Sequence, residues 1–91
     1  MRLEQMIYTY NKYTVDGNAK RAITTGSKLT LEQLQAHVGG DIEVVALDND
    51  VLMIVNELGL YLDLPQNIQA SFLAKQHIYG IALTCDINAI D

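Results

Sequence analysis

The sequence contains one cysteine, one proline and no tryptophan among 91 residues. A single cysteine, Cys85, excludes the paired disulfides that small secreted domains commonly carry. No apolar run approaches the roughly 20 residues of a membrane-spanning helix, and the longest, residues 51–55, has the length of a strand. The first residues lack the apolar core of a signal peptide. We therefore expect a cytoplasmic protein with no membrane segment.

The composition is that of a folded domain rather than a disordered chain. Hydrophobic residues make up 49% of the sequence and charged residues 19%. A chain of this length forms one domain and buries roughly 60–65% of its unfolded surface. We predict a single domain over residues 1–91, with a basic hairpin at 1–28, an α+β body at 29–85 and a frayed tail at 86–91.

Positive charge is scarce after residue 28. Residues 1–28 carry five basic and two acidic side chains, whereas residues 29–91 carry one basic side chain, Lys75, and nine acidic ones. The net charges are therefore +3 and −8. Because affinity for nucleic acid depends on a positive field, direct binding to nucleic acid by the whole chain is disfavoured.

The first elements predict a hairpin followed by a helix. Residues 6–15 and 18–24 are rich in β-branched and aromatic side chains, and the Asp16-Gly17 pair between them favours a type I′ turn. Thr30 and Gln33 have the spacing of a capping box, and Leu29 and Leu34 that of a hydrophobic staple. A helix over residues 31–38 follows, ended by two glycines.

The remaining pattern alternates strands with one more helix. We predict strands over residues 42–47, 51–55, 60–62 and 77–85, and a helix capped by Asn67 that reaches residue 74. Residues 51–55 are continuously apolar, which is typical of a central strand covered on both faces. The fold class is α+β, a small mixed or antiparallel sheet with two short helices on one face, in the order β-β-α-β-β-β-α-β.

No constellation in the sequence supports catalysis. His37, His77 and Cys85 are the candidate soft metal ligands, but the last two would stand about 26 Å apart along one strand. Asp48 and Asp50 resemble the start of a calcium loop whose next ligand position is apolar. Cys85 lies in an apolar strand, as an inert buried thiol does. We expect no metal, no cofactor and no enzymatic activity.

Two surfaces could bind a partner. On the hairpin, tyrosines alternate with cations, the combination that stacks nucleotides, and the candidate residues are Tyr8, Tyr10, Lys12 and Arg21. The plainer interpretation is a half-buried sheet face with cations at its rim. In the body, acidic side chains fall in successive turns, and the candidates are Asp48, Asp50, Glu57 and Asp63. Their field could steer docking of a basic protein, or could simply keep the chain soluble.

The charge asymmetry allows a third arrangement. The basic hairpin of one copy could dock on the acidic body of another, giving a homodimer through strand exchange or edge pairing.

Several motifs resemble the domain-of-unknown-function 3846 family. They are Leu-Glu-Gln-Leu-Gln-Ala-His-Val-Gly-Gly-Asp-Ile-Glu-Val-Val at residues 31–45, Ile-Val-Asn-Glu-x-Gly at 54–59, Leu-Pro-x-Asn at 64–67, and Ile-x-Gly-x-Ala-Leu at 78–83. The shared residues mostly look structural: Gly39 and Gly40 end a helix, and Gly59 permits a turn. Only Asn56-Glu57 lacks an evident structural requirement.

The resemblance implies a small accessory protein of a bacterial phage, plasmid or other mobile element, and some anti-CRISPR proteins look similar. We expect a non-enzymatic protein that binds, and inhibits, a host defence protein in the bacterial cytoplasm through its acidic body. The alternatives are a nucleotide or nucleic-acid binder acting through the tyrosine-rich hairpin, and a self-assembling structural protein.

Overall fold

The computed structural model describes residues 7–25, without the side chain of Thr25, and residues 27–91. Its elements follow the order β-β-α-β-β-α-β and end in one 3-10 turn. Their bounds are β1 Ile7–Tyr13, β2 Ala19–Thr25, α1 Leu31–Val38, β3 Ile42–Ala46, β4 Val51–Asn56, α2 Ile68–Ala74, β5 Ala82–Asp86 and the 3-10 turn Ile87–Ala89. Met6 and Gly26, which were assigned to the first hairpin, lie outside the described residues.

The five strands form one antiparallel sheet in the order β2-β1-β5-β4-β3. The last strand of the chain, β5, lies between β1 and β4 and so joins the N-terminal hairpin to the β3–β4 hairpin. The predicted α+β class is confirmed, with an antiparallel rather than mixed sheet.

Strand β4 is covered on both faces, as its continuous apolar run predicted. Met53 and Ile54 are both fully buried, and because consecutive side chains of a strand point to opposite faces, they belong to different cores. Ile54 packs with Leu34 of α1, whereas Met53 packs with Ala70 of α2. The prediction of both helices on one face is therefore wrong, and each face has its own helix.

Helix α1 has the predicted bounds and the predicted start. The Thr30 side chain accepts a hydrogen bond from the Gln33 backbone, and the Gln33 side chain accepts one from the Thr30 backbone. Leu29 and Leu34 are both buried in the same core. Gly39 ends the helix in the left-handed conformation, with φ of 82°.

The turn of the first hairpin lies where it was expected but has a different geometry. Thr14 N–H donates to the Asn18 carbonyl at 2.9 Å, which leaves a three-residue loop. Gly17 has φ of 90°, whereas Asp16 has no positive φ, as a type I′ turn would require. The Asp16 side chain instead accepts hydrogen bonds from Thr14 and Asn18, which stabilise the three-residue form.

The second hairpin also has a three-residue loop, because Leu47 N–H donates to the Val51 carbonyl at 2.8 Å, but its backbone angles differ from those of the first. Asn49 and Asp50 have φ of 62° and 60°, the signature of a type I′ turn, and the backbone of Val51 donates to Asp48 across it. The sequence prediction placed a turn here without its type.

The strand predicted over residues 60–62 is wrong. Residues 57–63 form a series of tight turns, in which Leu62 N–H donates to the Leu58 carbonyl at 2.9 Å and Asp63 N–H to the Leu60 carbonyl at 3.2 Å. These local bonds occupy backbone groups that a strand would offer to a neighbour. We call this segment the 57–63 turns.

The strand predicted over residues 77–85 begins later, at Ala82. Gly80 has φ of 86°, which breaks the extended backbone, and its N–H donates to the Pro65 carbonyl at 2.8 Å. Tyr79 forms an isolated bridge with Gln66 instead of joining the main sheet. The apolar alternation alone could not show this separation.

The tail predicted to fray is tied to the body. Ala89 is buried, Ile90 packs on the α1 core, and Leu29 pairs with Ile90 in an isolated bridge. The Asp91 N–H donates to the Leu29 carbonyl at 2.9 Å. Residues 86–91 therefore belong to the folded domain.

Candidate partner-binding site

The four acidic candidates lie at two ends of one strand. Asp48 and Asp50 occupy the turn before β4, whereas Glu57 and Asp63 lie in the 57–63 turns after it. Because β4 has six residues, the two groups stand roughly 20 Å apart at ~3.3 Å per residue. The structure brings Glu57 and Asp63 to one end of the domain and leaves the other two at the opposite end.

The four hairpin candidates lie on two different faces of the sheet. Tyr8, Tyr10 and Lys12 share one face of β1 by strand alternation. Arg21 stands opposite Asn11 in the register, so its side chain projects from the other face. The predicted combination of tyrosines with Arg21 therefore does not form one surface.

The hairpin tyrosines contribute to the core under α1. Tyr8 and Tyr10 are partly buried and pack against the α1 core. Tyr10 Oη lies 3.4 Å from His37 Nε2, and the two rings meet edge to face at a centroid distance of 5.4 Å. This is the half-buried sheet face that the plainer interpretation described.

Lys12 acts electrostatically on His37. Burial lowers the pKa of His37, and the positive charge of Lys12 lowers it further. We expect Lys12→Ala to raise this pKa while leaving it below its ordinary value, because the burial remains. An NMR titration of the His37 ring measures the change. Lys20→Ala, which removes the cation opposite Lys12 in the register, should leave the pKa unchanged; equal values for Lys12→Ala and wild type would contradict the assignment.

A groove of about 320 Å³ opens on the α2 side of the sheet, at the end where Glu57 lies. We call it the acidic groove. Its lining comes from three separate segments of the chain. They are Glu43 and Val45 of β3, the stretch from Val55 at the end of β4 to Leu60 in the 57–63 turns, and residues 76–79. It therefore combines two carboxylates, an apolar base and two aromatic rings, those of His77 and Tyr79.

The two walls of the acidic groove lie against each other at Gly59 and Tyr79. Gly59 approaches Tyr79 so closely that a Cβ at residue 59 would lie 2.7 Å from the Tyr79 carbonyl oxygen. The His77 and Tyr79 rings stack with a centroid distance of 6.4 Å and an interplanar angle of 29°. Gln66 Nε2 lies 2.8 Å from His77 Nδ1, and this hydrogen bond orients the His77 ring.

Asn56 has a structural role that the sequence did not reveal. Its side chain is buried, donates to the Val38 carbonyl at 3.1 Å and accepts from the Leu58 N–H at 2.8 Å. It thus links the end of α1 to the 57–63 turns. Glu57 is exposed beside it, and its backbone N–H donates to the Asp41 carbonyl at 2.8 Å.

A second, apolar groove continues from the first. It has a volume of about 390 Å³, shares Gln76 and His77 with the acidic groove, and includes Ile68 and Phe72 of α2. Ile68 is 68% exposed and Phe72 is 82% exposed. We call this the α2 groove.

Ile68 and Phe72 stand four positions apart and therefore lie on one side of α2, and this side faces solvent. Apolar residues four positions apart usually mark a side that faces the core. Helix α2 instead packs on the sheet through Ala70 and Ala74. The small residues of the opposite side were the signal that could have identified the exposed one.

A family described as a domain of unknown function, DUF3846, matches residues 13–91. The chain belongs to the DUF3846 family. The match confirms the resemblance drawn from the motifs and extends it to β2 and the C-terminal turn. Both grooves of this DUF3846 protein lie within the matched residues, whereas Tyr8, Tyr10 and Lys12 precede them. Neither the curated proteins nor the solved structures gave a significant match.

The metal-ligand candidates of the DUF3846 protein do not converge. Over residues 7–25 and 27–91, no three His, Cys, Asp or Glu side chains are placed to hold one ion. Cys85 is buried in the α1 core, and burial, together with Asp86, raises the pKa of its thiol. In the same described residues, no helix has the length and hydropathy to cross a bilayer.

Proposed function

We propose that this DUF3846 protein is a non-enzymatic accessory protein of a bacterial mobile element, which binds and inhibits a host defence protein in the cytoplasm. The observation that supports binding is the concentration of exposed apolar side chains within residues 58–73. They are Leu58, Leu60, Tyr61, Leu62, Ile68, Phe72 and Leu73. Their number favours a binding role over a plain solvated surface.

Exposed apolar side chains that lie together on a small protein are energetically unfavourable in water. Soluble monomers rarely present contiguous apolar patches larger than a few hundred Å², and larger ones mark interaction sites. Leu60 lines the acidic groove, and Ile68 and Phe72 line the α2 groove that adjoins it. An exposed aromatic side chain such as Phe72 is the type of residue that dominates binding energy when a partner buries it.

The charge around this surface indicates a basic partner. Glu43 and Glu57 line the acidic groove, and Asp63 is exposed in the 57–63 turns. Residues 29–91 carry a net charge of −8, and such a field steers association with a positive surface and disfavours a negative one. A host nuclease, whose surface must hold nucleic acid, has this complementary charge.

The test compares two serine variants in an affinity pull-down from nuclease-treated lysate of a bacterial host, read by mass spectrometry. Phe72→Ser removes a ring of the α2 groove that is 82% exposed, and Leu31→Ser removes an exposed apolar side chain of α1, on the other face of the sheet. A specific host protein retained by wild type and by Leu31→Ser should be lost, or reduced at least tenfold, with Phe72→Ser. Equal retention by all three proteins would overturn this surface as the binding site.

The same captured protein tests the acidic residues at each end of β4. Glu57→Gln with Asp63→Asn should weaken capture, because both changes remove charge next to the apolar surface. Asp48→Asn with Asp50→Asn removes the same charge roughly 20 Å away, and asparagine tolerates the positive φ of residue 50. If only the second pair weakened capture, the partner would contact the β3–β4 turn instead.

A further inference from the structure

We propose that the acidic groove receives an arginine side chain of the partner, an inference that rests on the proposed function and names its contact chemistry. The groove offers three features that suit a guanidinium group together: two carboxylates, a stacked aromatic pair and an apolar base. Glu43 comes from β3, Glu57 from the 57–63 turns and the two rings from residues 76–79, so the combination is a product of the fold.

The carboxylates of Glu43 and Glu57 provide the charge. Glu43 stands opposite Val55 in the β3–β4 register, and Glu57 follows the last residue of β4. In the part of the chain that the structure describes, neither carboxylate forms an ion pair. Two uncompensated carboxylates beside one concave surface attract a cation and repel phosphate, so a nucleotide does not suit this groove.

The rings provide a flat contact surface. His77 and Tyr79 stack at an interplanar angle of 29° and both line the groove. A planar guanidinium stacks on aromatic rings and binds a carboxylate through two parallel hydrogen bonds, whereas a lysine ammonium has neither geometry. This is the reason that the proposal specifies arginine rather than any cation.

The apolar base accommodates the rest of the side chain. Val45 and Val55 lie on the same face of the sheet as Glu43, and both line the groove with Ile78. Long basic side chains lay their methylene groups along apolar surface while the charged end contacts polar groups. The absence of a side chain at Gly59 keeps the opposite wall close to Tyr79.

The experiment titrates the ¹⁵N-labelled full chain with acetyl-Gly-Arg-Gly-amide and follows backbone amide shifts by NMR. We expect saturable shifts at Gly59, His77 and Tyr79, with a Kd of about 1 mM. Acetyl-Gly-citrulline-Gly-amide, which has nearly the same shape without the charge, should bind at least tenfold more weakly, and so should the lysine peptide.

Two double variants locate the site. Glu43→Gln with Glu57→Gln should weaken the affinity for the arginine peptide at least tenfold. The rest of the amide spectrum should remain that of the folded protein. Asp48→Asn with Asp50→Asn removes the same charge at the far end of β4 and should leave the affinity unchanged. Absence of shifts up to 20 times the expected Kd, or equal binding of the citrulline or lysine peptide, would overturn the proposal.

The peptide titration and the pull-down test different proposals, so one can give a negative result without the other. The titration requires no host protein, so loss of the proposed function leaves its result interpretable. If Phe72→Ser abolishes capture but the arginine peptide causes no shifts, the interaction surface is supported and the arginine assignment is contradicted. If the peptide binds as expected but Phe72→Ser has no effect on capture, the cation site stands without the proposed partner surface.

Discussion

Asn67→Ala should lower the free energy of unfolding by about 4 kcal/mol. Its side chain is fully buried, accepts a hydrogen bond from the Ala70 N–H at 3.0 Å, and donates to the carbonyls of Tyr13 and Gly80 at 2.9 and 3.0 Å. One residue thus caps α2 and connects it to β1 and to the segment before β5. Alanine leaves all three backbone groups without this partner, at ~1–3 kcal/mol for each group that stays buried.

Urea unfolding of the full chain measures this loss of stability. Two further variants serve as comparisons. Asn88→Ala changes an exposed asparagine of the C-terminal turn and should stay within about 0.5 kcal/mol of wild type. Asn67→Asp keeps the oxygen that caps α2 but buries a carboxylate facing the Tyr13 and Gly80 carbonyls, so its loss combines the two missing bonds with the cost of a buried charge. A loss below about 1 kcal/mol for Asn67→Ala would show that these bonds do not stabilise the fold.

The elements that the sequence predicted correctly depend on residues close together in the chain. Helix α1 is specified by Thr30, Gln33 and Gly39, all within ten positions, and its bounds agree with the prediction. Asn67 likewise capped α2 as expected. In both cases the hydrogen-bond partner lies about one helical turn away, so the sequence itself contains the whole signal.

The predictions that failed depend on partners far along the chain. Which face each helix covers is decided by the packing of Leu34 and Ala70 on β4, and an alternating or continuous apolar run is the same in either arrangement. Residues 77–81 alternate as a strand does, but Gly80 hydrogen-bonds to Pro65 and turns the chain away. Fraying of the tail was predicted from its position alone, without the contact between Leu29 and Ile90.

The sequence predicted only part of the candidate site, because the site too depends on residues far apart along the chain. Glu57 and Asp63 were identified by their charge, but grouping them with Asp48 and Asp50 ignored the length of β4 between them. The acidic groove joins three segments of the chain, and the stacked rings of His77 and Tyr79 belong to the last of them. No local pattern places Glu43 beside these rings.

Gly59→Ala should destabilise the fold by about 3 kcal/mol and should disturb the acidic groove at the same time. Gly59 is buried, and a Cβ there would lie 2.7 Å from the Tyr79 carbonyl oxygen and 3.2 Å from its Cβ. The carbonyl cannot simply move away, because Tyr79 is paired with Gln66 and the next residue, Gly80, donates to Pro65. The strain must therefore separate the 57–63 turns from residues 76–79.

Gly39→Ala is the matched control, because it measures the cost of a methyl group at a glycine without a clash. Gly39 has φ of 82° and nothing within 4 Å of an added Cβ, so only the backbone conformation opposes the change, at about 1 kcal/mol. Urea unfolding should therefore rank Gly59→Ala well below Gly39→Ala in stability, and amide shifts at Tyr79 should change only in Gly59→Ala. Equal stability of the two variants would mean that the groove walls separate at little cost. The acidic groove would then be an adaptable surface, and a partner rather than the fold would set its shape.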